Sequence, residues 1–236
     1  MNKLQIGEGQ GLDAKEVAAR RAVTEVRDGM IVGLGTGSTA AHAIRLLGER
    51  IQAEGLHIQG VPTSARSKEQ AEQLGIPLVD FAQVERVDMT IDGADEVDPH
   101  LHLIKGGGGA LVQEKIVASA TRDLLIICDQ SKVKAQLGAF PLPIAIIPYG
   151  WQATLRKLRS FGYPIHLRTD SAGETYITDD SLYIVDMQCG TISNPPALEQ
   201  ALKSIVGVAE VGLFTGLTRR VIIGNPDGST QILERP

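Results

Sequence analysis

Apolar residues in the first part of the chain alternate between helical spacing and short unbroken runs. Residues 14–26 carry apolar side chains at every fourth position after a candidate capping box at Asp13, which predicts a helix that stops near Asp28. An apolar run at 30–34 predicts a strand, a glycine-rich turn follows at 35–39, and helical spacing then resumes. Strand, glycine turn and helix in this order are typical of the first unit of a doubly wound α/β fold.

The same alternation continues to about residue 130. It predicts strands at 56–61, 77–80, 87–91 and 124–128 and helices at 64–74 and 110–120. The large apolar residues that open the last of these strands suit a parallel sheet covered on both faces. Such sheets bind ligands at the carboxyl ends of their strands, where this chain has loops at 35–39, 92–96 and 129–132.

The pattern changes beyond residue 140. Prolines at 141, 143 and 148 precede predicted helices at 151–161 and 196–205 and predicted strands at 165–168, 175–177 and 182–187. We expect the final strands, at 211–214 and 221–224, to return to the first sheet. The predicted fold class is α/β. A doubly wound, mostly parallel, Rossmann-like sheet domain comprises 1–140 plus 208–236, and a smaller α+β domain comprises 141–207.

Composition narrows the class of protein. Apolar residues make up 43% and charged residues 22% of the chain, as in ordinary globular domains. The net charge of −5 disfavours a nucleic-acid partner, because such proteins usually carry a basic surplus. Cys128 and Cys189 lie far apart without metal-ligand spacing, which favours a reducing compartment. Residues 1–10 lack the apolar core of a signal peptide and no apolar run is of membrane-spanning length, so we expect a cytoplasmic protein without a membrane partner.

The first candidate site is the turn Gly35-Thr36-Gly37-Ser38-Thr39, which leads into a predicted helix. Free N–H groups and the positive end of the helix dipole bind anions at such a position, and the hydroxyls add donors. The segment is neither a complete GxGxxG nor a GxxxxGK[ST], so it does not indicate a dinucleotide or a nucleoside triphosphate. A tight turn with a Ser or Thr helix cap explains it equally well when it is taken alone.

The second candidate site is Asp92-Gly93-Ala94-Asp95-Glu96, followed by Lys105 and four glycines at 106–109. Carboxylates supply acceptors and candidate bases, the lysine supplies a counter-charge, and glycines let the backbone approach a ligand closely. The alternatives are a turn for the acidic segment and a flexible linker for the glycines. A divalent metal is disfavoured, since no histidine lies at ligand spacing.

Two further residues become candidate site residues because of these neighbouring segments. Glu114 lies one helical turn after the glycines, where a glutamate is usually solvated, but beside an anion loop it becomes a candidate general base. Lys132 follows the strand at 124–128 and would add a cation at the same sheet edge. Taken singly, it is more simply a surface lysine that opens a turn.

Together these segments resemble the ribose-5-phosphate isomerase A family. The resemblance extends from about Lys15 to Asp227, and several independent motifs in the same order make it specific. The motifs are Gly35-Thr36-Gly37-Ser38-Thr39-Ala40-Ala41-His42, Asp92-Gly93-Ala94-Asp95-Glu96, Lys105-Gly106-Gly107-Gly108, Glu114-Lys115-Ile116, Ser131-Lys132, Phe140-Pro141-Leu142-Pro143 and Val211-Gly212-Leu213-Phe214. Gly109 replaces a small residue that is often found at that position of the family.

The resemblance implies a reaction and its requirements. The family interconverts D-ribose 5-phosphate and D-ribulose 5-phosphate through an enediolate, in the non-oxidative branch of the pentose phosphate pathway. It implies no metal and no organic cofactor, and a homodimer or a dimer of dimers. By motif match the proton-transferring base is Glu114. For this reaction Lys105, helped by the N–H groups of the glycine loop, would offset negative charge on oxygen, and Asp92 would assist ring opening.

The resemblance also implies the substrate-binding positions. Ser38, Thr39, Lys15 and Lys132 would hold the phosphate, and Asp92 and Asp95 would hold sugar hydroxyls. The full set is Lys15, Thr36, Gly37, Ser38, Thr39, Asp92, Gly93, Ala94, Asp95, Lys105, Gly106, Gly107, Gly108 and Lys132.

Two other functions are compatible with the same scaffold. A non-catalytic phosphosugar sensor would need a partner-binding module, such as a helix-turn-helix, for which we expect no room at the ends of this chain. An acyl-CoA transferase or an aminosugar-phosphate deaminase is the other alternative. The glycine loop after Lys105, coupled to Asp92 and Asp95, favours the isomerase over both.

Overall fold

The computed structural model describes residues 11–235. Its helices are α1 (Ala14–Val23), α2 (Ser38–Glu54), α3 (Ala65–Gln73), α4 (Leu111–Ser119), α5 (Trp151–Arg159) and α6 (Pro195–Lys203), with a 3₁₀ turn at Gln130–Lys132. Its strands are β1 (Ile31–Leu34), β2 (Gln59–Pro62), β3 (Val87–Asp92), β4 (Glu96–Val97), β5 (Leu103–Ile104), β6 (Thr121–Asp129), β7 (Leu142–Ile146), β8 (Ile165–Leu167), β9 (Tyr183–Met187), β10 (Val208–Val211), β11 (Leu213–Phe214), β12 (Thr218–Gly224) and β13 (Thr230–Glu234).

Six strands form the main sheet in the order β13-β12-β6-β3-β1-β2. Strands β12 to β2 of this order run parallel, and β13 pairs antiparallel at one edge. The predicted α/β class with a mostly parallel sheet is confirmed. The predicted strand at 77–80 is reduced to a single bridge between Gly60 and Leu78, because Pro77 has no N–H with which to extend the ladder.

Strand β6 shows why the sheet has apolar residues on both faces. Leu125 and Ile127 pack with α1 and α2 on one face. Leu124 and Ile126 pack on the other face with Phe214 and with residues of α4 and β12. Because side chains alternate along a strand, a run of apolar residues fits a strand only when both faces are covered.

Helix α1 begins at the predicted N-cap. The Asp13 side chain accepts a hydrogen bond from the backbone N–H of Lys15 at 3.0 Å. The predicted capping box is not completed, since the Glu16 carboxylate pairs with Arg20 and Arg45 instead. The helix ends at Val23, earlier than predicted.

A second sheet of four antiparallel strands has the order β10-β7-β9-β8 and packs with α5 and α6. We call the main sheet with its helices the first layer, and this sheet with α5 and α6 the second layer. Its strand β7 was not predicted from the sequence, because the prolines at 141, 143 and 148 disfavour a regular strand. The predicted strand at 175–177 is reduced to isolated bridges of Thr175 and Ile177.

The C-terminal strands correct part of the predicted topology. Strand β12 joins the main sheet, as expected for 221–224. The predicted strand at 211–214 does not, because β10 pairs with β7 and β11 pairs with β5. The strand Val208–Val211 thus lies in the smaller sheet, although the predicted boundary placed 208–236 in the Rossmann-like domain. Residues 1–10 and 236, which belong to the predicted Rossmann-like domain, lie outside the described residues. The division into two domains stays a proposal.

A third, very small sheet joins these two layers in the order β11-β5-β4. Each of its strands is two residues long, which is too short for a period to appear in the sequence. It fixes the start of the glycine loop, since the Lys105 N–H donates to Gly212 O at 2.8 Å.

None of the helices in the described part of the chain is long and apolar enough to cross a membrane.

Lys115 ties α4 to the second layer. Its buried ammonium lies 2.6 Å from Glu199 Oε1 and 2.8 Å from Glu210 Oε1. It also donates to the carbonyl oxygens of Val211 and Leu213, each at 2.7 Å. A buried ammonium with this many acceptors is stable only because they replace its water shell.

We expect Lys115→Met to lower the free energy of unfolding by about 3–5 kcal/mol, because it leaves two largely buried carboxylates without their counter-charge. Equilibrium urea denaturation measures the loss. The matched control is Lys203→Met, which removes the other, 46% exposed lysine beside Glu210 and should cost less than about 1 kcal/mol. Equal losses for the two variants would contradict the importance of burial.

Candidate active site

The carboxyl ends of β1, β3 and β6 meet the glycine loop at one edge of the main sheet. They surround a cleft of about 110 Å³. Every residue that lines this cleft was predicted from the sequence: Lys15, Thr36, Gly37, Ser38, Thr39, Gly93, Ala94, Asp95, Lys105, Gly106, Gly107, Gly108, Glu114 and Lys132. Five segments distant in sequence are therefore brought together, as expected for the switch region of a doubly wound sheet.

A buried lysine lies at the centre of this cleft wall. Lys105 Nζ is 2.9 Å from Asp92 Oδ2 and 3.1 Å from Glu114 Oε1, and it donates to Gly93 O at 2.6 Å. The Lys105 side chain is only 3% exposed. Burial alone would lower the pKa of Lys105, but the carboxylates of Asp92 and Glu114 outweigh it and raise that pKa above its ordinary value. The ammonium is therefore charged at neutral pH.

Glu114 differs from the solvated glutamate that helix position alone suggests. It lies in the first turn of α4, is 5% exposed and still lines the cleft. Its Oε1 accepts from Lys105, while its buried Oε2 has no hydrogen-bond partner among the described residues. Burial raises the pKa of Glu114 to about 8, Lys105 lowers it, and the charges of Asp92 and Asp95 raise it further. A carboxyl group with one free oxygen and this pKa is suited to accept a proton near neutral pH.

Asp92 lies behind the cleft wall rather than on it. It is 1% exposed, and its Oδ1 accepts from the N–H groups of Thr36 at 3.0 Å and Gly93 at 2.7 Å. Its Oδ2 faces Lys105. Asp92 is not among the residues that line the cleft, whereas Asp95 is, and the expected contact of Asp92 with sugar hydroxyls stays a prediction.

The start of α2 forms the other end of the cleft. Gly37 is the N-cap residue, with a φ of 101°, and no side chain caps the helix. The alternative of a Ser or Thr cap is therefore not what the structure shows. The first N–H groups of the helix are left for an anion, and Lys15 Nζ adds a positive charge where it donates to Ser38 Oγ at 3.0 Å. Lys132, at the end of the 3₁₀ turn after β6, lines the same cleft.

Thr36 serves the site through its backbone. Its hydroxyl donates to Ser64 Oγ at 2.8 Å and lies 2.7 Å from Thr63 Oγ1. These contacts hold the turn after β1 against the loop after β2. The Thr36 hydroxyl is thus already engaged, and substrate binding by Thr36 stays a prediction.

The glycine loop passes close to other groups. The Gly107 N–H donates to Asp95 Oδ2 at 2.8 Å, and a Cβ on Gly107 would lie 2.6 Å from Asp95 Oδ1. At Gly106, φ is 104°, a conformation that side chains rarely allow. The loop is therefore an ordered part of the site, and the flexible-linker alternative is not supported.

Sequence reasoning missed two residues of the second layer that contact this loop. Arg168 Nη1 donates to Gly106 O at 3.0 Å and to Gly107 O at 3.1 Å. The Tyr176 hydroxyl lies 3.4 Å from Gly108 O. Neither residue belongs to a motif, and nothing in the sequence places 168 or 176 beside 106–108.

Among residues 11–235, no cluster of three or more His, Cys, Asp or Glu side chains is arranged to hold a metal ion.

Comparison with known proteins agrees with this geometry. The profile of the family ribose 5-phosphate isomerase A (phosphoriboisomerase A) matches residues 59–228. A ribose-5-phosphate isomerase A of Synechococcus sp. (strain JA-3-3Ab) is 48% identical over 218 residues, which cover 92% of this chain and 95% of that protein. One from Cereibacter sphaeroides is 49% identical over 226 residues, covering 93% and 90%.

Solved structures give the same result. The ribose 5-phosphate isomerase A of Methanocaldococcus jannaschii superposes with a TM-score of 0.89 at 39% identity and covers 94% of this chain and 98% of its own. A D-ribose-5-phosphate isomerase in complex with phospho-erythronic acid superposes with a TM-score of 0.92 at 37% identity, covering 96% and 100%. On the family match, the sequence identity and the shared fold, this chain belongs to the ribose 5-phosphate isomerase A family.

Proposed function

We propose that this chain isomerises D-ribose 5-phosphate and D-ribulose 5-phosphate, with Glu114 as the base. The observation that carries the proposal is that Glu114 lines the cleft with Oε1 held by Lys105, while its buried Oε2 has no partner among the described residues. Family membership supplies the substrate, since the matching proteins are named for this activity. The enzyme is an aldose–ketose isomerase of the pentose phosphate pathway.

The reaction moves one hydrogen between neighbouring carbons of the open-chain sugar. Glu114 takes the proton from C2 of the aldose, and the electron pair of that C–H bond forms the C1–C2 double bond of an enediolate. A proton moves from O2 to O1 of the enediolate, which leaves the negative charge on O2. The protonated carboxyl group then returns its proton to C1 while the C2=O bond forms, which gives the ketose. The same group serves as base and then as acid, for which a pKa near the working pH is suitable.

Negative charge develops on the substrate oxygen during the first step. The ammonium of Lys105 lies beside Glu114 in a wall with little access to water, where a fixed charge stabilises an oxyanion strongly. Asp95 is the carboxylate that we propose to bind a sugar hydroxyl. Asp92 would assist ring opening only through Lys105, because its own oxygens are engaged.

The phosphate would bind at the start of α2 with Ser38, Thr39, Lys15 and Lys132. Its binding energy positions C1 and C2 against Glu114, which is how contacts remote from the reacting atoms contribute to rate. The phospho-erythronic acid bound by the related isomerase also carries a phosphate group.

The wider setting of the enzyme is also a proposal. We infer a cytoplasmic homodimer or dimer of dimers, without a nucleic-acid partner. These inferences rest on the family resemblance and on the net charge of −5.

We expect Glu114→Gln to lower kcat by about 10²–10⁴-fold with little change in KM, because the amide keeps the shape of the side chain but accepts no proton. Conversion of ribose 5-phosphate to the ketose measures kcat. Glu69→Gln, an exposed change on α3, is the control and should retain full turnover. Wild-type turnover in Glu114→Gln would show that the base has been misassigned.

The pH dependence provides a separate test of the same residue. Only the carboxylate form of Glu114 accepts a proton, and burial raises its pKa to about 8. The value of kcat/KM should therefore rise about tenfold per pH unit below that pKa and level off above it. The residual activity of Glu114→Gln should lack this limb. A limb with the same midpoint in that variant would assign it to another group.

We expect Lys132→Met to raise KM for ribose 5-phosphate by about 10–100-fold, the loss of one charged hydrogen bond to the phosphate. Turnover of D-ribose, which has no phosphate, should be the same for this variant and the wild type. Lys134→Met is the matched control, since Lys134 lies two residues away and does not line the cleft. An equal loss with D-ribose would place Lys132 outside the phosphate site.

A further inference from the structure

The carbonyl groups of the glycine loop all point toward the second layer. Arg168 Nη1 binds Gly106 O and Gly107 O, and the Tyr176 hydroxyl lies 3.4 Å from Gly108 O. Three consecutive carbonyl oxygens are thus turned to the same side. That side is opposite to the substrate cleft, since the glycines line the cleft and Arg168 and Tyr176 do not.

Arg168 is itself firmly held. Its Nε and Nη2 donate to the two carboxylate oxygens of Asp186 at 2.8 and 2.5 Å, a bidentate pair that leaves Nη1 for the loop. The guanidinium carbon lies 5.9 Å from the centre of the Tyr176 ring. The side chain is 15% exposed, so the charge-assisted bonds are largely shielded from water. Asp186 lies in β9, which anchors the whole contact in a regular sheet.

Fixing these carbonyl groups also fixes the N–H groups of the loop. In a planar trans peptide the C=O and the following N–H point in opposite directions. The Gly107 N–H accordingly meets Asp95, and the Gly109 N–H closes a turn onto Gly106 O at 3.0 Å. Among residues 11–235, the Gly108 N–H donates no hydrogen bond. Because Arg168 holds Gly107 O, this N–H is directed away from Arg168, and Gly108 itself lines the cleft.

We propose that Arg168, held by Asp186, is a positioning residue that keeps the Gly108 N–H in place as a donor to the developing oxyanion. The inference rests on the proposed isomerase function and extends it to a residue of the second layer. Four consecutive glycines have many accessible conformations, so an unbraced loop would seldom present this donor. Arg168 holds two successive peptide units in the one orientation that presents it.

The test compares Arg168→Met with the wild type by three measurements. Loss of an oxyanion donor costs about 10²–10³-fold in kcat, and loss of its positioning alone should cost about 10–100-fold. KM for ribose 5-phosphate and inhibition by inorganic phosphate should change little, since the start of α2 is untouched. Phospho-erythronic acid, whose carboxylate stands in for the enediolate oxygens, should lose affinity by about the same factor as kcat/KM.

The control is Arg220→Met. Arg220 is a comparably buried arginine, paired with Glu25 and Asp123 and remote from the glycine loop. The Arg220→Met variant measures the effect of removing an internal ion pair alone. It should retain wild-type turnover and wild-type affinity for phospho-erythronic acid. Arg168→Lys keeps the charge but cannot reproduce the bidentate pair with Asp186, so its kcat should lie between those of Arg168→Met and the wild type. This variant also replaces Arg168→Met if the latter does not fold.

Two results would overturn the proposal. The first is a wild-type kcat and wild-type affinity for phospho-erythronic acid in the Arg168 variants. The second is a loss of affinity for inorganic phosphate as large as that for phospho-erythronic acid, which would indicate a general loosening of the site. Failure of the isomerase assignment itself would appear differently, as an absence of ketose formation by the wild type.

Discussion

The site depends on one buried ammonium between two carboxyl groups. Lys105 lies 2.9 Å from Asp92 and 3.1 Å from Glu114, with almost no exposure to solvent. Taking this ammonium and its two carboxyl partners from water is costly, and the cost is offset only while all three groups are in place. Burial is the main cause that raises the pKa of Glu114, and the charge of Asp92 adds to it although Lys105 opposes both. The electrostatics that suit Glu114 to proton transfer are thus the same electrostatics that hold the cleft wall together.

Much of this site could be predicted from the sequence, because its motifs are local and their order is diagnostic. The segments that contain Asp92, Lys105 and Glu114 fall at strand ends or at a helix start, and a parallel sheet brings such ends to one edge. Burial could not be predicted in the same way. Helix position suggests a solvated Glu114, and only the packing of α4 against the second layer shows that it is 5% exposed. Asp92 was expected to contact the substrate by motif match, and the sequence does not show that Lys105 and two N–H groups enclose it.

The fold likewise has elements that could be predicted from the sequence and elements that could not. The long strand β6 and the helices of the first layer follow from periodicity, because each is long enough to show its period. Two-residue strands such as β4 and β5 are too short to show a period. Strand β7 was not predicted for a different reason, namely the proline inside it and the prolines on either side. Its partner β10 was consequently assigned to the wrong sheet. Arg168 was missed because it contacts Gly106 and Gly107, which lie 62 and 61 positions away in the sequence. Asp186 matters through its pair with Arg168, and a single sequence reveals neither contact.

The first turn of α4 explains why the second layer matters for chemistry. Glu114 and Lys115 are consecutive, so their side chains leave the helix in different directions. Glu114 lines the cleft, while Lys115 is held by Glu199, Glu210 and the carbonyl groups of Val211 and Leu213. Rotation of α4 that withdrew Glu114 would have to break the contacts of Lys115. Both Lys105 Nζ and Lys115 Nζ also lie over the buried ring of Phe214, at 5.5 and 4.8 Å from its centre. The smaller sheet therefore holds the base in place from one direction and, through Arg168, the glycine loop from another.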